Sequence, residues 1–350
     1  MKKLIALLLA AMMVVGCLAG CGGGSNNAAN DNNAANNSSN TSSTPKEVVT
    51  LDMISCLGET HKLFRFAELY AQMVDWISGG QMKINLLGGD EVMAEDEMLS
   101  ALKNGVFDLM LDNETLSQIC SLYPAMSCTG MANNTEEMEA GLYDLYREVY
   151  EKEGGVYWLG KGSQPQWWVL ASNKPVSNIS DIKGMKIRCN SATSAAAEAL
   201  GGIPTVIAYG EIYEAMERGI VDGFLMTPED WVQNSWQDVT KYFCDLRVLF
   251  GGMTGVLCNL DVYNSLTEEQ QGWLKAPLED YAEQFYALCY YNQASGEDEM
   301  VAAGVQKIVW DQAEKDKATE LIRQAQWNSL KDKITPEYAK RFAEICGLDY

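Results

Sequence analysis

Residues 181–223 read DIKGMKIRCNSATSAAAEALGGIPTVIAYGEIYEAMERGIVDG, and this stretch restricts the fold more than any other. A short strand around Lys186-Ile187-Arg188 carries one arginine. A helix of small residues follows, then GGIPT, then a helix opened by Glu211 and Tyr213, then a second strand start at Val221-Asp222-Gly223. Strands alternating with helices in this way indicate βαβ units and an α/β sheet. Period-two alternation puts Met185, Ile187 and Cys189 on one face of the strand and Lys186 and Arg188 on the other. A guanidinium on such a face presents a planar fork of donors that matches a carboxylate in two parallel hydrogen bonds. Composition alone would make the same residue an exposed surface arginine.

The preceding segments follow the same alternation. Residues 48–55, VVTLDMIS, read as a strand. Residues 61–78 have helical periodicity through Leu63, Phe66, Ala67, Tyr70, Val74 and Ile77, and Gly79-Gly80 stops them. A second strand starts at Met82, a helix spans Glu95 to Asn104 and ends at Gly105, and a third strand starts at Asp108. Further on, Thr267 with Glu268 and Glu269 makes a helix start, and Pro277 predicts a kink or restart. From Leu278 to about Ala303 the pattern stays helical, which at full length is on the order of 39 Å. Such a helix braces two lobes, or it splits into two shorter helices within one.

The N-terminus reads as a targeting segment. Lys2 and Lys3 precede an apolar run from Leu4 to Val15, a length that suits a signal sequence and falls short of the roughly 20 residues of a membrane span. Leu18-Ala19-Gly20-Cys21 reads as a lipobox that makes Cys21 the lipid-bearing residue, with Cys17 as a second candidate and an ordinary secretory signal as the alternative. Residues 22–47 are rich in Asn, Ser and Gly; with almost no apolar surface to bury, they read as a flexible tether.

The net charge of −22 excludes nucleic acid as a partner, because phosphate binding needs clustered Lys and Arg. It leaves anionic small ligands open, since one local cation in a closed cleft outweighs diffuse surface charge. Eight cysteines follow Cys21, at irregular spacings and without CxxC, and they read mostly as free buried thiols, with Cys120 and Cys128 as the pair to expect if a disulfide forms. His61 is the single histidine, so neither a zinc-ligand pattern nor a histidine triad is present, and no metal or cofactor is expected. A nucleophile elbow and a phosphate loop are absent as well, which favours a binding protein over an enzyme.

The block from Lys186 to Gly223 resembles the core of the substrate-binding proteins of tripartite ATP-independent periplasmic (TRAP) transporters, the DctP-like family. Residues 79–111, GGQMKINLLGGDEVMAEDEMLSALKNGVFDLML, are similar to that family's early pattern, as are NLDVYNSLTEEQQGWL and MVAAGVQKIVW later on, so the similarity covers most of residues 48–310. The resemblance implies an α/β, two-lobed periplasmic-binding-protein-like fold with a central ligand cleft and a long bridging helix. It implies lobe I at 48–165 and 254–292, and lobe II at 166–253 and 293–350. It implies that Arg188 grips the carboxylate of a small organic acid, and that the partners are the small and large permease subunits in the membrane. An ABC-type solute-binding lipoprotein and a secreted hydrolase are the alternatives.

Two positions depart from the family's pattern. Where it often has a second arginine, this chain has Trp168, and where it often has an asparagine after the VDG aspartate, Met226 stands. Both replace polar contacts by apolar surface, which favours a monocarboxylate with an apolar or aromatic body over a diacid or sugar acid. Trp168, Met226 and Trp231 are candidates for the tail contacts, and core packing is the alternative for each. Glu59 and His61 after the first strand, with helix capping as their alternative, Asp112 and Asn113 after the third, and Tyr209 as a pocket wall complete the expected site.

Overall fold

The alternation that marks the strands in the sequence also sorts their side chains between cores. The structure, a computed structural model, describes residues 48–59, 64–112, 116–131, 133–162, 166–190, 193–246, 248–250, 254–289 and 291–350. The expectations for the signal segment, Cys21, the tether, His61 and Asn113 lie outside these residues. Twelve strands are described: β1 (Val49–Ser55), β2 (Met82–Gly88), β3 (Leu109–Asp112), β4 (Val156–Lys161), β5 (Gln166–Ser172), β6 (Lys186–Cys189), β7 (Ile203–Val206), β8 (Gly223–Met226), β9 (Tyr242–Cys244), β10 (Val248–Phe250), β11 (Gly255–Asn259) and β12 (Gln306–Ile308).

They form two sheets, in keeping with the two-lobed α/β expectation. The first has the order β2-β1-β3-β11-β4, with β1 parallel to β2 and β3, and β11 antiparallel to β3 and β4. Leu109, Leu111, Val256 and Cys258 point into one core while Met110 and Leu257 point into the other, as the two-residue period requires. The second sheet has the order β12-β9-β5-β8-β6-β7, and β10 pairs with β5. Here Leu170, Ile187 and Leu225 face one core, and Val169, Ala171, Phe224 and Met226 the other. Strand β7 has no counterpart in the sequence reading, because Gly202 and Pro204 break the alternation. It lies at the sheet edge, where a proline costs no ladder hydrogen bond to a further strand.

Helices cover these faces. Phe64–Ile77 buries Phe66, Ala67, Tyr70 and Val74 on the first sheet at three- and four-residue spacings. Tyr70 anchors it by donating to the carbonyl of Leu274 at 2.8 Å. Glu268–Lys275 starts at the expected Thr267 cap, which the structure completes to a capping box in which Gln270 N donates to Thr267 Oγ1 and Thr267 N to Gln270 Oε1. The chain leaves that helix before Pro277 and becomes helical again at Ala282.

Residues 282–302 join the two halves. Helices Ala282–Cys289 and Tyr291–Ala302 lie on either side of residue 290; Phe285 packs in a core of the first sheet and Met300 in a core of the second. A second brace comes from helix Gln312–Leu330, whose 19 residues span about 28 Å. Its Ala318 and Ile322 pack with the second sheet, and its Trp327 with the first. Helix Pro336–Cys346 then buries Tyr338, Ala339 and Phe342 in that first-sheet core. The sequence reading kept 293–350 together in lobe II; from Trp327 onward the side chains pack against the first sheet instead. Periodicity shows that a helix has an apolar face, and it does not name the core that receives it. No helix of the described residues is long and apolar enough to cross a membrane.

Candidate ligand-binding site

Strand β6 lies between β7 and β8, pairing parallel with both, and Arg188 stands opposite Thr205 on one side and Phe224 on the other. The strand's alternation sends Ile187 into one core and Arg188 to the opposite face, where it is 3% exposed. Strand β8 approaches β5 closely at Gly223: a Cβ there would meet the carbonyl oxygen of Ala171 at 2.3 Å, so only glycine fits. That pairing sets Met226 opposite Val169, the neighbour of Trp168.

These elements enclose a cavity of about 500 Å³ lined by Trp168, Arg188, Asn190, Val206, Ile207, Ala208, Tyr209 and Met226. Arg188 Nε donates to the carbonyl of Ile207 at 2.9 Å, and Nη1 donates to the thioether of Met226 at 3.4 Å. Among the described residues it is in no ion pair. Burial lowers the guanidinium's pKa from its ordinary value. It remains a cation, since an arginine side chain does not lose its proton in a protein. A buried charge without a partner is costly, and an anion entering the cavity relieves that cost.

Tyr209, 43% exposed, forms one wall. Its hydroxyl donates to Asp230 Oδ1 at 3.3 Å and accepts from Asn234 Nδ2 at 2.7 Å, and its ring meets Trp236 edge-on at 5.2 Å. Burial and then the Asp230 carboxylate raise its pKa, so the hydroxyl keeps its proton. Asn190, two residues beyond Arg188, closes a turn in which its Oδ1 accepts from Thr193 N at 3.0 Å and Thr193 Oγ1 accepts from its own N at 3.0 Å.

Of the residues singled out in the sequence, Arg188, Trp168, Met226 and Tyr209 meet in this cavity. Trp231 does not: it is 0% exposed and packs edge-on against Phe224 and Phe243. Glu59 is exposed in the turn after β1 and does not line the cavity. Asp112 ends β3 fully buried, in a group with Cys56 and Glu95 whose ligand atoms lie within 4.8 Å of one another. That group has metal-ligating chemistry, but none of its members lines the cavity. Asn190 and the segment 206–208 were missed. Alternation from Arg188 offered a signal for Asn190, whereas nothing local marks residues 206–208. The seven cysteines described as free, Cys120 and Cys128 among them, are all buried thiols.

The family model of bacterial extracellular solute-binding proteins, family 7 (DctP), matches residues 54–332. An uncharacterized protein of Sinorhizobium fredii is 27% identical over 172 residues, 45% of this chain and 30% of its own length. The C4-dicarboxylate-binding periplasmic protein DctP of Rhodobacter capsulatus is 33% identical over 76 residues, 21% of this chain and 23% of its own. The chain thus spans less than a third of either relative. Among solved structures, a TRAP periplasmic solute-binding protein from Rhodobacter sphaeroides superposes with a TM-score of 0.73 at 20% identity, covering 85% of this chain and 99% of that one. Another, from Desulfovibrio salexigens with bound orotic acid, has a TM-score of 0.61 at 17% identity, covering 85% and 99%. The two-sheet architecture is that of these proteins, and the chain belongs to the bacterial extracellular solute-binding proteins of family 7, the DctP family.

Proposed function

We propose that this protein is the extracytoplasmic solute receptor of a TRAP transporter, which captures a small organic acid through Arg188 and hands it to a permease driven by an ion gradient. The observation that carries the reading is the buried guanidinium of Arg188, which faces a 500 Å³ cavity without an ion-pair partner among the described residues. Two neutral acceptors, the Ile207 carbonyl and the Met226 thioether, orient the fork and leave its charge for a ligand.

The ligand is a monocarboxylate with an apolar or aromatic body. The cavity lining holds one cationic side chain, which balances one carboxylate, and Trp168, Val206 and Met226 supply apolar surface for the rest. The orotic acid of the D. salexigens neighbour, a ring-bearing carboxylic acid, is in keeping with that class. No bond is made or broken: the ligand favours a closed arrangement of the lobes. Cys21 carries the lipid that keeps the receptor at the membrane.

The test is calorimetric titration of the protein with aromatic and branched monocarboxylates, C4-diacids and neutral sugars. Binding of a monocarboxylate that is lost in Arg188→Ala supports the reading. Binding confined to neutral compounds, or unaffected by that substitution, refutes it.

A further inference from the structure

The polar groups around Arg188 specify more than a carboxylate. We infer that Asn190 is a specificity-determining residue that donates to an acceptor oxygen on the carbon next to the ligand's carboxylate; this rests on the receptor reading above.

Asn190 lines the same cavity as Arg188 and follows it by two residues, which places both on one face of the extended chain. Its amide orientation is determined by its neighbours. The backbone N–H of Thr193 donates to the side chain at 3.0 Å, so the atom it meets is the oxygen. The Nδ2 group is therefore the exposed half of the amide, and among the described residues it makes no hydrogen bond. An Asn side chain can give two N–H donors there and nothing else.

Most of the other lining side chains offer no such donor, and the indole N–H of Trp168 is the one further neutral donor in the lining. Val206, Ile207, Ala208 and Met226 have none, and the Tyr209 proton is committed to Asp230. Arg188, with Nε on Ile207 and one N–H on Met226, keeps its remaining donors for the carboxylate itself. A neutral donor one side chain away suits a neutral acceptor one bond beyond that carboxylate, as in a 2-oxo or 2-hydroxy acid. With a plain acid of the same skeleton, Nδ2 gains no partner when the cavity closes, and leaving it unmade costs binding.

The experiment compares 4-methylpentanoate with 4-methyl-2-oxopentanoate by calorimetry at one pH and salt concentration, on wild-type protein, Asn190→Ala and Asn190→Ser. Serine can keep the turn, since its hydroxyl can accept from Thr193 N, but it is too short to reach the ligand. The wild type is expected to prefer the 2-oxo acid by about five- to tenfold, the worth of one neutral hydrogen bond. Both variants are expected to bind the two acids alike, near the wild-type affinity for the plain acid. Asn190→Ser carries the test if loss of the turn unfolds Asn190→Ala. Equal wild-type affinities, or a preference that survives in the variants, overturns the role of Asn190 and leaves the receptor reading standing. Failure of the wild type to bind either acid removes the receptor reading for this ligand class and the inference with it.

Discussion

Arg188 Nε donates to the carbonyl oxygen of Ile207 at 2.9 Å, and this bond decides which edge of the guanidinium faces the cavity. The carbonyl belongs to the segment just after the edge strand β7, and the arginine to its neighbour β6, so two elements 19 residues apart in sequence orient one side chain. A fork held in this way loses little freedom when it meets a carboxylate, which is what makes an arginine selective as well as attractive.

Replacing Arg188 by Ala is expected to cost about 2–5 kcal/mol of acid binding, the range for truncating one partner of a buried charge pair. Calorimetry reads it directly, and an unchanged affinity removes Arg188 from the site. Arg188→Met is expected to raise the melting temperature of the ligand-free protein, because it deletes a buried charge that has no ion-pair partner among the described residues. A lower melting temperature would mean that the arginine is structural.

Trp168→Arg should weaken binding of acids with apolar tails and admit diacids, since it exchanges a half-buried apolar wall for a second cation. A ligand screen by thermal shift checks this, as ligands raise the melting temperature by mass action. The same ligand profile in both proteins would count against an apolar wall.

Lys161 and Glu137 form a buried pair in the first half of the molecule, with side chains 1% and 0% exposed and Nζ 2.7 Å from Oε1 and 2.6 Å from Oε2. Glu137→Ala removes the carboxylate that balances the buried ammonium and is expected to cost about 3–5 kcal/mol in denaturant unfolding. The double variant Glu137→Leu with Lys161→Met should recover most of that loss. If the single variant unfolds at the wild-type denaturant midpoint, the pair is not coupled.

Alkaline pH should destabilise the fold through its buried tyrosines. Burial holds Tyr70, Tyr143, Tyr146 and Tyr150 well above the ordinary value of 10.0. In the unfolded chain they ionise near pH 10, so above that pH the unfolded state binds fewer protons than the folded one. Their contribution is complete below about pH 10 and is lost as pH rises towards the folded values, by up to about 1.4 kcal/mol per pH unit for each. Urea unfolding at pH 8, 10 and 11 measures the slope; a flat profile refutes it.

The thiols should be inert in the native state. Burial pushes Cys128 up to about 11 and Cys120, Cys244 and Cys346 up to about 12, which leaves almost no thiolate at pH 8. Iodoacetamide should label them only after unfolding in urea. Fast labelling of the native protein at any of the four would show that the site opens.

Much of the fold was legible because it rests on local rules. The strand from residue 48, the Gly79-Gly80 stop and the Thr267 cap each depend on a few neighbouring residues, and each appears where the sequence places it. Strand β7 was not legible, since the proline that hides it is tolerated only at a sheet edge, and edge position is a property of the sheet. Of the residues the sequence singles out, Arg188, Trp168, Met226 and Tyr209 line the cavity, whereas Trp231 takes the alternative of core packing and Glu59 lies outside the lining. Met226 and Trp231 are both apolar, five residues apart and part of one core, and only the packing of β8 and the helix Pro228–Gln233 leaves Met226 also at the cavity wall.

The sequence by itself determined the alternating α/β pattern, the face of β6 that carries Arg188 and the apolar character of its surroundings, because each follows from the two-residue and 3.6-residue periods of the chain. Only the tertiary structure decided that Arg188 is buried without an ion-pair partner among the described residues, that Asn190 lines the same cavity, and that the last helices pack against the first sheet. These depend on groups far apart in sequence, and whether a charge finds a partner is set by which surfaces the folded chain brings together.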